Sequence, residues 1–350
     1  MEYPKTNKAL RFSSIGGPLA LIEKEVPLLP AYELLVKVHA ASINPCDIQL
    51  WRSGLVGVVP GDKGMGRDYS GTVVAVGSNV KGWKVGDEAF GLLLSPLKFA
   101  QGTFSEYINV NPASNPITKK PGCFTHEQAA SIPPVALTAY ACLDWLPPPS
   151  ASQRKVIVRG ASGGTGTWVV QLAKVAYDCH VTAICSGKNA DFVKSLGADE
   201  VIDYTSQDIT STLLSTRAAT QPYDLLVDCV GGTDLIPSYP QLLHPKGAYV
   251  TIVGDKTDVN TAGGPLTYLT NPRQIYRYLK GYLLGPRYAC IALYKSSHLD
   301  QVVSLAERGE VKAVVQEVIE GAFDEREGWK KAVEYMESGR ARGKVVLKIP

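Results

Sequence analysis

The sequence predicts an α/β protein with two domains, one mostly β and one built on a doubly wound parallel sheet. Short apolar runs between glycine and proline turns fill about the first 130 residues, whereas strand and helix patterns alternate further on. The chain has 350 residues, of which 45% are hydrophobic and 20% are charged. It is therefore long enough to bury large cores and too apolar to be disordered.

The N-terminal region has the pattern of a mostly β domain. Apolar runs at residues 34–38 and 72–76 have the length of single strands, turns separate them, and helical patterns are scarce. We expect this domain to span residues 1–128 and residues 296–350 to return to it. The elements predicted in the returning part are a helix at 299–308, an apolar segment at 311–318 and a last strand at 344–349.

Between residues 129 and 295, strands and helices alternate. The predicted strands are 155–158, 181–185, 200–202, 225–229, 248–253 and 289–293, and the first predicted helices are 165–176 and 191–196. This alternation predicts a Rossmann domain, a parallel sheet with right-handed crossovers, in which ligands bind at the carboxyl ends of the strands.

A glycine-rich turn follows the first of these strands and opens the first helix. It reads Gly160-Ala161-Ser162-Gly163-Gly164-Thr165-Gly166. Glycines allow a tight turn and a close approach of the backbone to a pyrophosphate, and the helix N-terminus offers unpaired N–H groups. Taken alone, such a turn is as often an ordinary loop. The residues at the end of the second strand are therefore needed to identify a ligand.

The end of the second strand favours NADPH over NADH. NAD-binding domains place an acidic residue there for the ribose 2′-hydroxyl, but this chain has the segment Cys185-Ser186-Gly187-Lys188-Asn189. A hydroxyl and an ammonium suit a 2′-phosphate instead. The alternative is that Ser186 caps the next helix and Lys188 is solvated. Tyr204, after the third strand, flanks the adenine or its phosphate in the first interpretation and is a packing residue in the second.

Charge and cysteine content exclude several classes of protein. Basic and acidic residues number 36 and 33 and are scattered along the chain, so no nucleic-acid partner is expected. No apolar run is long enough to span a membrane and no secretory signal is present, so a cytoplasmic protein is expected, with mitochondrial association as an alternative. The seven cysteines show no C-x-x-C spacing and are expected to be reduced.

Several further segments, taken in order, carry a resemblance to a known family. They are Ala41-Ser42-Ile43-Asn44-Pro45-Cys46-Asp47, Gly66-Arg67-Asp68-Tyr69-Ser70-Gly71-Thr72-Val73, Val85-Gly86-Asp87, Leu137-Thr138-Ala139-Tyr140 and Gly343-Lys344-Val345-Val346-Leu347. With the glycine turn, they resemble the medium-chain dehydrogenase/reductase superfamily, in its zinc-free quinone oxidoreductase and enoyl reductase branch. The resemblance implies a GroES-like catalytic domain beside the Rossmann domain, and a homodimer formed through edge strands is common in this branch.

The resemblance also implies a protein without zinc. The zinc-dependent alcohol dehydrogenases have a cysteine ligand where this chain has Asn44, and a His-Glu pair where it has Arg67-Asp68. Cys46 lies two residues too late to replace that ligand, so we expect it to be a buried free thiol. The segment between Phe90 and Glu106 contains no cysteine for a structural zinc loop.

The site residues follow from the same resemblance. Asn44 and Thr138 are expected at the nicotinamide end of the cofactor and are the catalytic candidates, with Asn44 as an orienting group. Asp47 is expected to be structural. The full expected cofactor-binding set is Asn44, Thr138, Gly163, Gly164, Thr165, Gly166, Ser186, Lys188, Tyr204, Gly231 and Val253.

The expected reaction is the reduction of a small molecule by NADPH. Without a Lewis acid, hydride transfer to a quinone or to the activated C=C of an α,β-unsaturated carbonyl is easier to catalyse than alcohol oxidation. The stretch Ile48-Gln49-Leu50-Trp51 lacks the tyrosine that some relatives have, so solvent is the expected proton source. Two alternatives stay open: a trans-acting enoyl reductase of a polyketide pathway, and a non-catalytic NADPH-binding scaffold. The Tyr- and Arg-rich residues 273–288 fit a substrate pocket, a partner surface or a solvated helix.

Overall fold

A computed structural model of the chain describes residues 5–26, 28–52, 61–94, 101–149, 151–218, 221–256, 268, 271–291, 298–324 and 328–350. The chain divides into two compact units. The first unit contains the N-terminal residues up to Pro134 and the C-terminal residues from 295 on, and the second contains most of the residues between them. Sequence patterns predict the boundaries between the two units at residues 128 and 295.

The first unit is mostly β. Its strands are β1 (Thr6–Phe12), β2 (Ala20–Glu25), β3 (Leu34–Ser42), β4 (Lys63–Gly64), β5 (Asp68–Val76), β6 (Glu88–Leu92), β7 (Tyr107–Val110), β8 (Ile117–Lys119), β15 (Val315–Ile319) and β16 (Lys344–Lys348). Its helices are α1 (Pro45–Arg52), α2 (His126–Ala130), α9 (His298–Glu307) and α10 (Trp329–Ser338). Strands β2, β1 and β4 form a small sheet, and a larger one runs β15-β16-β3-β5-β6-β8, with β7 also paired to β3.

The C-terminal strand closes the larger sheet of this unit. β16 pairs antiparallel with β3, so that Val346 lies opposite Ser42 and Leu347 opposite Ala41. This pairing places the C-terminal strand in the sheet of the first unit, and it brings Lys344 to the end of β3, where Asn44 follows. The apolar faces of the strands are buried around Tyr69 and Phe104.

The second unit contains a parallel six-stranded sheet. Its strands are β9 (Lys155–Arg159), β10 (His180–Cys185), β11 (Glu200–Asp203), β12 (Tyr223–Asp228), β13 (Leu243–Thr251) and β14 (Arg287–Cys290). Their order is β11-β10-β9-β12-β13-β14, and every pair is parallel. In chain order this is 3-2-1-4-5-6, the arrangement of a dinucleotide-binding Rossmann sheet. The predicted fold class is therefore confirmed.

The helices of this unit connect the strands. They are α3 (Pro133–Leu143), α4 (Gly164–Val175), α5 (Ala190–Lys194), α6 (Ile209–Ala218), α7 (Tyr239–Leu242) and α8 (Pro272–Leu284), and α3 starts in the last residues of the first unit. α4 buries its apolar face, including Trp168 and Val169, against the sheet. The sixth strand begins earlier than predicted, at Arg287, and the end of the predicted strand 289–293 lies outside the described residues. In the described part of the chain, no helix is long and apolar enough to cross a membrane.

Candidate active site

The glycine turn joins β9 to α4 in a conformation that requires glycine. Gly160 has φ +77°, a left-handed value that side chains with a Cβ rarely adopt. A Cβ added to Gly166 would lie 2.2 Å from the carbonyl oxygen of Gly160. Gly163 is the N-cap of α4 and supplies no side-chain cap, so the first N–H groups of the helix are available to an anion. The turn therefore fits a pyrophosphate.

Gly231 and Val253 lie together beside this turn. A Cβ on Gly160 would contact Val230 at 3.0 Å, and one on Gly231 would lie 2.7 Å from Cγ1 of Val253. Gly231 has φ +84°, and its N–H donates to the Asp228 carboxylate at 3.1 Å. β9 and β12 are neighbours at the point where the strand order reverses, which is where ligands of such sheets bind.

Ser186, Lys188 and Tyr204 lie at the ends of the neighbouring strands β10 and β11. The N–H of Tyr204 donates to the carbonyl oxygen of Cys185 at 3.2 Å, and both Lys188 and Tyr204 are exposed. The amide of Asn189 donates to the hydroxyls of Ser186 and Ser162, at 3.2 Å each, and so ties this segment to the glycine turn. Ser186 occupies the N-cap position of the short helix at 187–189, as the alternative expects, but its side chain makes no capping hydrogen bond.

Sequence reasoning missed an acidic residue at this edge. The Asp203 carboxylate accepts hydrogen bonds from the N–H of Gly187 at 2.8 Å and from the hydroxyls of Thr205 at 2.7 Å and Ser206 at 2.9 Å. These bonds hold the pKa of Asp203 at about 2. The carboxylate is thus charged at neutral pH, but its oxygens are engaged in fixing the turn at Gly187. The Asp-x-Thr-Ser pattern of a side-chain-stabilised turn was the signal available in the sequence.

In the first unit, Asn44 and Asp68, two of the residues at which the resemblance leads one to expect zinc ligands in metal-dependent enzymes, belong to a buried polar cluster. The amide of Asn44 donates to the Asp68 carboxylate at 2.8 Å and, more weakly, to that of Asp47 at 3.4 Å. The hydroxyl of Ser42 also donates to Asp68. Asp68 is completely buried, and this burial raises its pKa, a shift that Lys344 opposes.

The cation of this cluster is an ammonium. Nζ of Lys344 donates to the carbonyl oxygen of Ile43 at 2.9 Å and to the side-chain oxygen of Asn44, and it lies 3.4 Å from the Asp68 carboxylate. Lys344 is only 4% exposed. A zinc site needs several nitrogen, sulfur or carboxylate ligands around one point, whereas here an amide and one carboxylate surround a lysine. The residues present do not fit a zinc ion.

Asp47 is held as a structural group. Its carboxylate accepts a hydrogen bond from the N–H of Asn44 at 2.8 Å and so starts helix α1. Burial, and then the neighbouring Asp68, raise the pKa of Asp47 to about 7, and its second oxygen has no hydrogen-bond partner among the described residues. Cys46 is a free thiol, but the residue is exposed. The sulfur itself lies in a desolvated environment, and this burial raises the pKa of the Cys46 thiol, so the residue is accessible while its thiol is shielded.

Thr138 lies in α3 and is 8% exposed. Asn44 belongs to the first unit and Thr138 to the second, so each is placed within its own unit. Their roles at the nicotinamide end stay predictions, as do those of the cofactor-binding residues. Across the described segments, no group of three or more His, Cys, Asp or Glu side chains is arranged to hold a metal.

A second constellation that the sequence did not reveal is a Ser-His-Glu line. Nδ1 of His126 lies 2.8 Å from the Ser70 hydroxyl, and Nε2 lies 3.1 Å from the Glu88 carboxylate. This order suggests a hydrolase triad. However, Ser70 is completely buried and its hydroxyl donates to the carbonyl oxygen of Ala89 at 3.1 Å. Its proton is engaged within the sheet, so the line is structural.

Comparisons with known proteins agree with this architecture. Residues 30–122 match the alcohol dehydrogenase GroES-like domain, and residues 196–347 match the zinc-binding dehydrogenase family. A mitochondrial NAD(P)H oxidoreductase of Bos taurus, RTN4IP1, is 36% identical over 341 residues, covering 91% of this chain and 82% of that protein. The trans-enoyl reductase pgmF of Aspergillus terreus is 34% identical over 368 residues, covering 99% and 97%.

A solved structure has the same fold as this chain. The quinone oxidoreductase of Coxiella burnetii superposes with a TM-score of 0.75 at 27% identity and covers 99% of this chain and 100% of its own. The parallel sheet with its glycine turn, joined to a GroES-like domain, defines a dinucleotide-dependent oxidoreductase. The chain belongs to the medium-chain dehydrogenase/reductase superfamily, in its quinone oxidoreductase branch.

Proposed function

We propose that this protein is a zinc-independent, NADPH-dependent oxidoreductase that reduces a quinone or the activated C=C of an α,β-unsaturated carbonyl. The observation that supports the proposal is the buried Lys344 ammonium against Asn44 and Asp68, a set of residues that does not fit a zinc ion. With no Lewis acid to stabilise an alkoxide, reduction of an already activated acceptor is the chemistry that this site supports best.

The cofactor proposal rests on the second unit. When bound, NADPH supplies the hydride. The glycine turn and the N-terminus of α4 would hold the pyrophosphate, and Gly231 and Val253 would lie beside it. Ser186, Lys188 and Tyr204 would hold the 2′-phosphate, since they offer a hydroxyl, an ammonium and an aromatic ring at one strand edge. The Asp203 carboxylate opposes this phosphate by its charge, and the hydrogen bonds that it accepts from Gly187, Thr205 and Ser206 disperse that charge.

At the nicotinamide end, the proposed residues are Asn44 and Thr138. Both amide hydrogens of Asn44 face carboxylates, and its oxygen accepts from Lys344. Asn44 therefore has no proton to give to a product, and its role is to orient. The stretch after Asp47 holds no tyrosine, so water would supply the proton to the reduced carbon.

The similarity to pgmF over 99% of the chain favours a second candidate, a trans-acting enoyl reductase that takes carrier-bound acyl chains. The name of RTN4IP1 likewise supports a mitochondrial location as the alternative to the cytoplasm. Substrate choice depends on side chains around the reacting carbon. Fold and cofactor therefore do not decide between a quinone or enone reductase and a trans-acting enoyl reductase.

The test is to titrate the purified protein with NADPH and NADH and then to follow NADPH oxidation with quinones, enones and acyl-carrier thioesters. Removing charge-assisted phosphate contacts in Ser186→Ala/Lys188→Ala should weaken NADPH binding about tenfold to a hundredfold and leave NADH binding unchanged. Lys194→Ala, an exposed lysine on α5, is the matched control. Tighter binding of NADH, stoichiometric zinc, or NADPH binding without turnover of any acceptor would overturn the proposal.

A further inference from the structure

The loop at 229–232, which follows β12, lies beside the glycine turn and is fixed by a buried carboxylate. Asp228 ends the strand, is completely buried, and accepts hydrogen bonds from the N–H groups of Val230 and Gly231 at 3.0 and 3.1 Å. Its other oxygen accepts the hydroxyl of Tyr249, on the neighbouring strand β13, at 2.7 Å. Three donors therefore tie the start of this loop to the sheet.

Gly231 is also held from β9. Arg159 is the last residue of β9 and lies opposite Asp228 in the pairing of the two strands. Its guanidinium donates to the carbonyl oxygen of Gly231 at 3.1 Å and lies 3.8 Å from the Asp228 carboxylate. The N–H group and the carbonyl oxygen of Gly231 are thus both held, by side chains from two adjacent strands.

The guanidinium is kept in place by a second carboxylate. Asp234 accepts hydrogen bonds from two nitrogens of Arg159, at 3.0 and 2.9 Å, which is the bidentate geometry of a strong arginine–carboxylate pair. The Arg159 side chain is only 12% exposed, whereas that of Asp234 is 54% exposed. The planar guanidinium is therefore oriented before any ligand binds, with one of its N–H groups on Gly231.

Arg159 belongs to the glycine turn as well. Gly160 follows it in the chain, and its backbone carbonyl oxygen accepts the N–H of Cys229 at 3.0 Å. A Cβ added to Gly160 would lie 3.0 Å from the side chain of Val230, so the turn and the loop are already in close contact. The backbone of Arg159 thus forms part of one wall of the crevice at the strand ends, and its side chain holds the other wall.

We propose that Arg159 is a positioning residue for the dinucleotide, because it fixes Gly231 against the glycine turn. The inference rests on the proposed function, in which Gly231 and the turn contact the cofactor. Glycine loses more conformational freedom than any other residue when it is fixed. Since Arg159 fixes Gly231 in advance, cofactor binding does not have to order this wall, and such preorganisation raises affinity.

The experiment is a fluorescence titration of the full-length protein and its variants with NADPH and with NADH. Arg159→Met should weaken binding of the tighter nucleotide about tenfold to a hundredfold, because the charge-assisted hydrogen bonds to Gly231 and Asp234 are lost. Arg159→Lys keeps the charge but not the bidentate geometry, so its dissociation constant should fall between those of the unmodified protein and Arg159→Met.

The matched control is Arg154→Met. Arg154 precedes β9 at its opposite end and donates to the carbonyl oxygens of Pro147 at 3.2 Å and Tyr177 at 2.6 Å. Its loss should lower the free energy of unfolding but leave nucleotide binding unchanged, because ligands bind at the carboxyl ends of the strands. If Arg154→Met and Arg159→Met changed the dissociation constant to the same extent, the role of Arg159 would be structural only and the proposal would be overturned.

A surface variant covers the case in which Arg159→Met does not fold. Asp234→Asn weakens the bidentate pair from its exposed side and should raise the dissociation constant about twofold to fivefold. Unchanged binding by Asp234→Asn would then overturn the proposal. The proposed function is judged separately, on NADPH preference and turnover by the unmodified protein, so it can fail while the ratio between variants holds. A protein that bound neither nucleotide would overturn both.

Discussion

Replacing Lys344 with methionine should destabilise the first unit far more than replacing any surface lysine. Nζ of Lys344 lies 3.4 Å from the Asp68 carboxylate, and both side chains are shielded from solvent, at 5% and 0% exposure. Lys344→Met keeps most of the side-chain volume but leaves Asp68 as a buried charge without its ammonium partner, although the hydrogen bonds of Ser42 and Asn44 remain. Breaking a buried pair in this way costs about 3 to 5 kcal/mol.

The matched control is on the same strand. Lys348 also forms an ion pair, with Glu320 at 3.2 Å, but both side chains are largely exposed. Exposed pairs contribute about 0 to 1 kcal/mol, so Lys348→Met should have little effect. Urea unfolding followed by tryptophan fluorescence measures the difference, because Trp51 and Trp329 belong to the core of the first unit.

A double substitution separates the charge from the packing. Lys344→Met/Asp68→Asn removes both charges, so its loss of stability should be smaller than the sum of the single losses, by about 1 to 3 kcal/mol. The reasoning would be refuted if Lys344→Met lost no more stability than Lys348→Met. It would also be refuted if the losses of stability in Lys344→Met and Asp68→Asn simply added up to the loss in the double variant.

Two other predictions concern Asp47 and the glycine turn. Burial raises the pKa of Asp47 from 3.8 to about 7. Between these two values the folded protein keeps a proton that the unfolded chain releases. The contribution of Asp47 to the free energy of unfolding therefore falls by up to about 4 kcal/mol as pH rises through this window. Asp47→Asn should remove this decline relative to the exposed-site control Asp191→Asn, and parallel stability profiles from about pH 4 to about pH 8 would contradict it. Gly166→Ala should weaken NADPH binding at least about tenfold, because its Cβ would lie 2.2 Å from the Gly160 oxygen. Fluorescence titration compares it with Gly122→Ala, a position where an added Cβ has no atom within contact distance. Equal NADPH affinities of the two variants would argue against the turn as the pyrophosphate site.

Local patterns predicted the second unit well. Four of the six strands, β9, β10, β12 and β13, contain a compact apolar run, and the glycine turn lies where the first run ends, because both depend on neighbours in the chain. The short strands β11 and β14 are less apolar, and β13 and β14 begin earlier than their patterns predicted. The helices were predicted less completely. Six helices were not predicted: α1, α2 and α7 are short, α3 is apolar on all sides, α6 is weakly amphipathic, and α10 was missed although its pattern is clearly amphipathic. Helix α8 stayed one of three alternatives, since its apolar face is turned away from the domain.

The sequence by itself determined the fold class and the position of the glycine turn, and it showed Asn44 and Arg67-Asp68 where the resemblance leads one to expect zinc ligands. These follow from periodicity and from residue types at fixed spacing. Only the tertiary structure showed which group contacts Asn44, because Lys344 lies 300 residues from it in the chain and reaches it only when β16 pairs with β3. The bond of Asp203 to Gly187 and the outward apolar face of α8 likewise depend on which strands and surfaces are adjacent, and a linear pattern does not encode that adjacency.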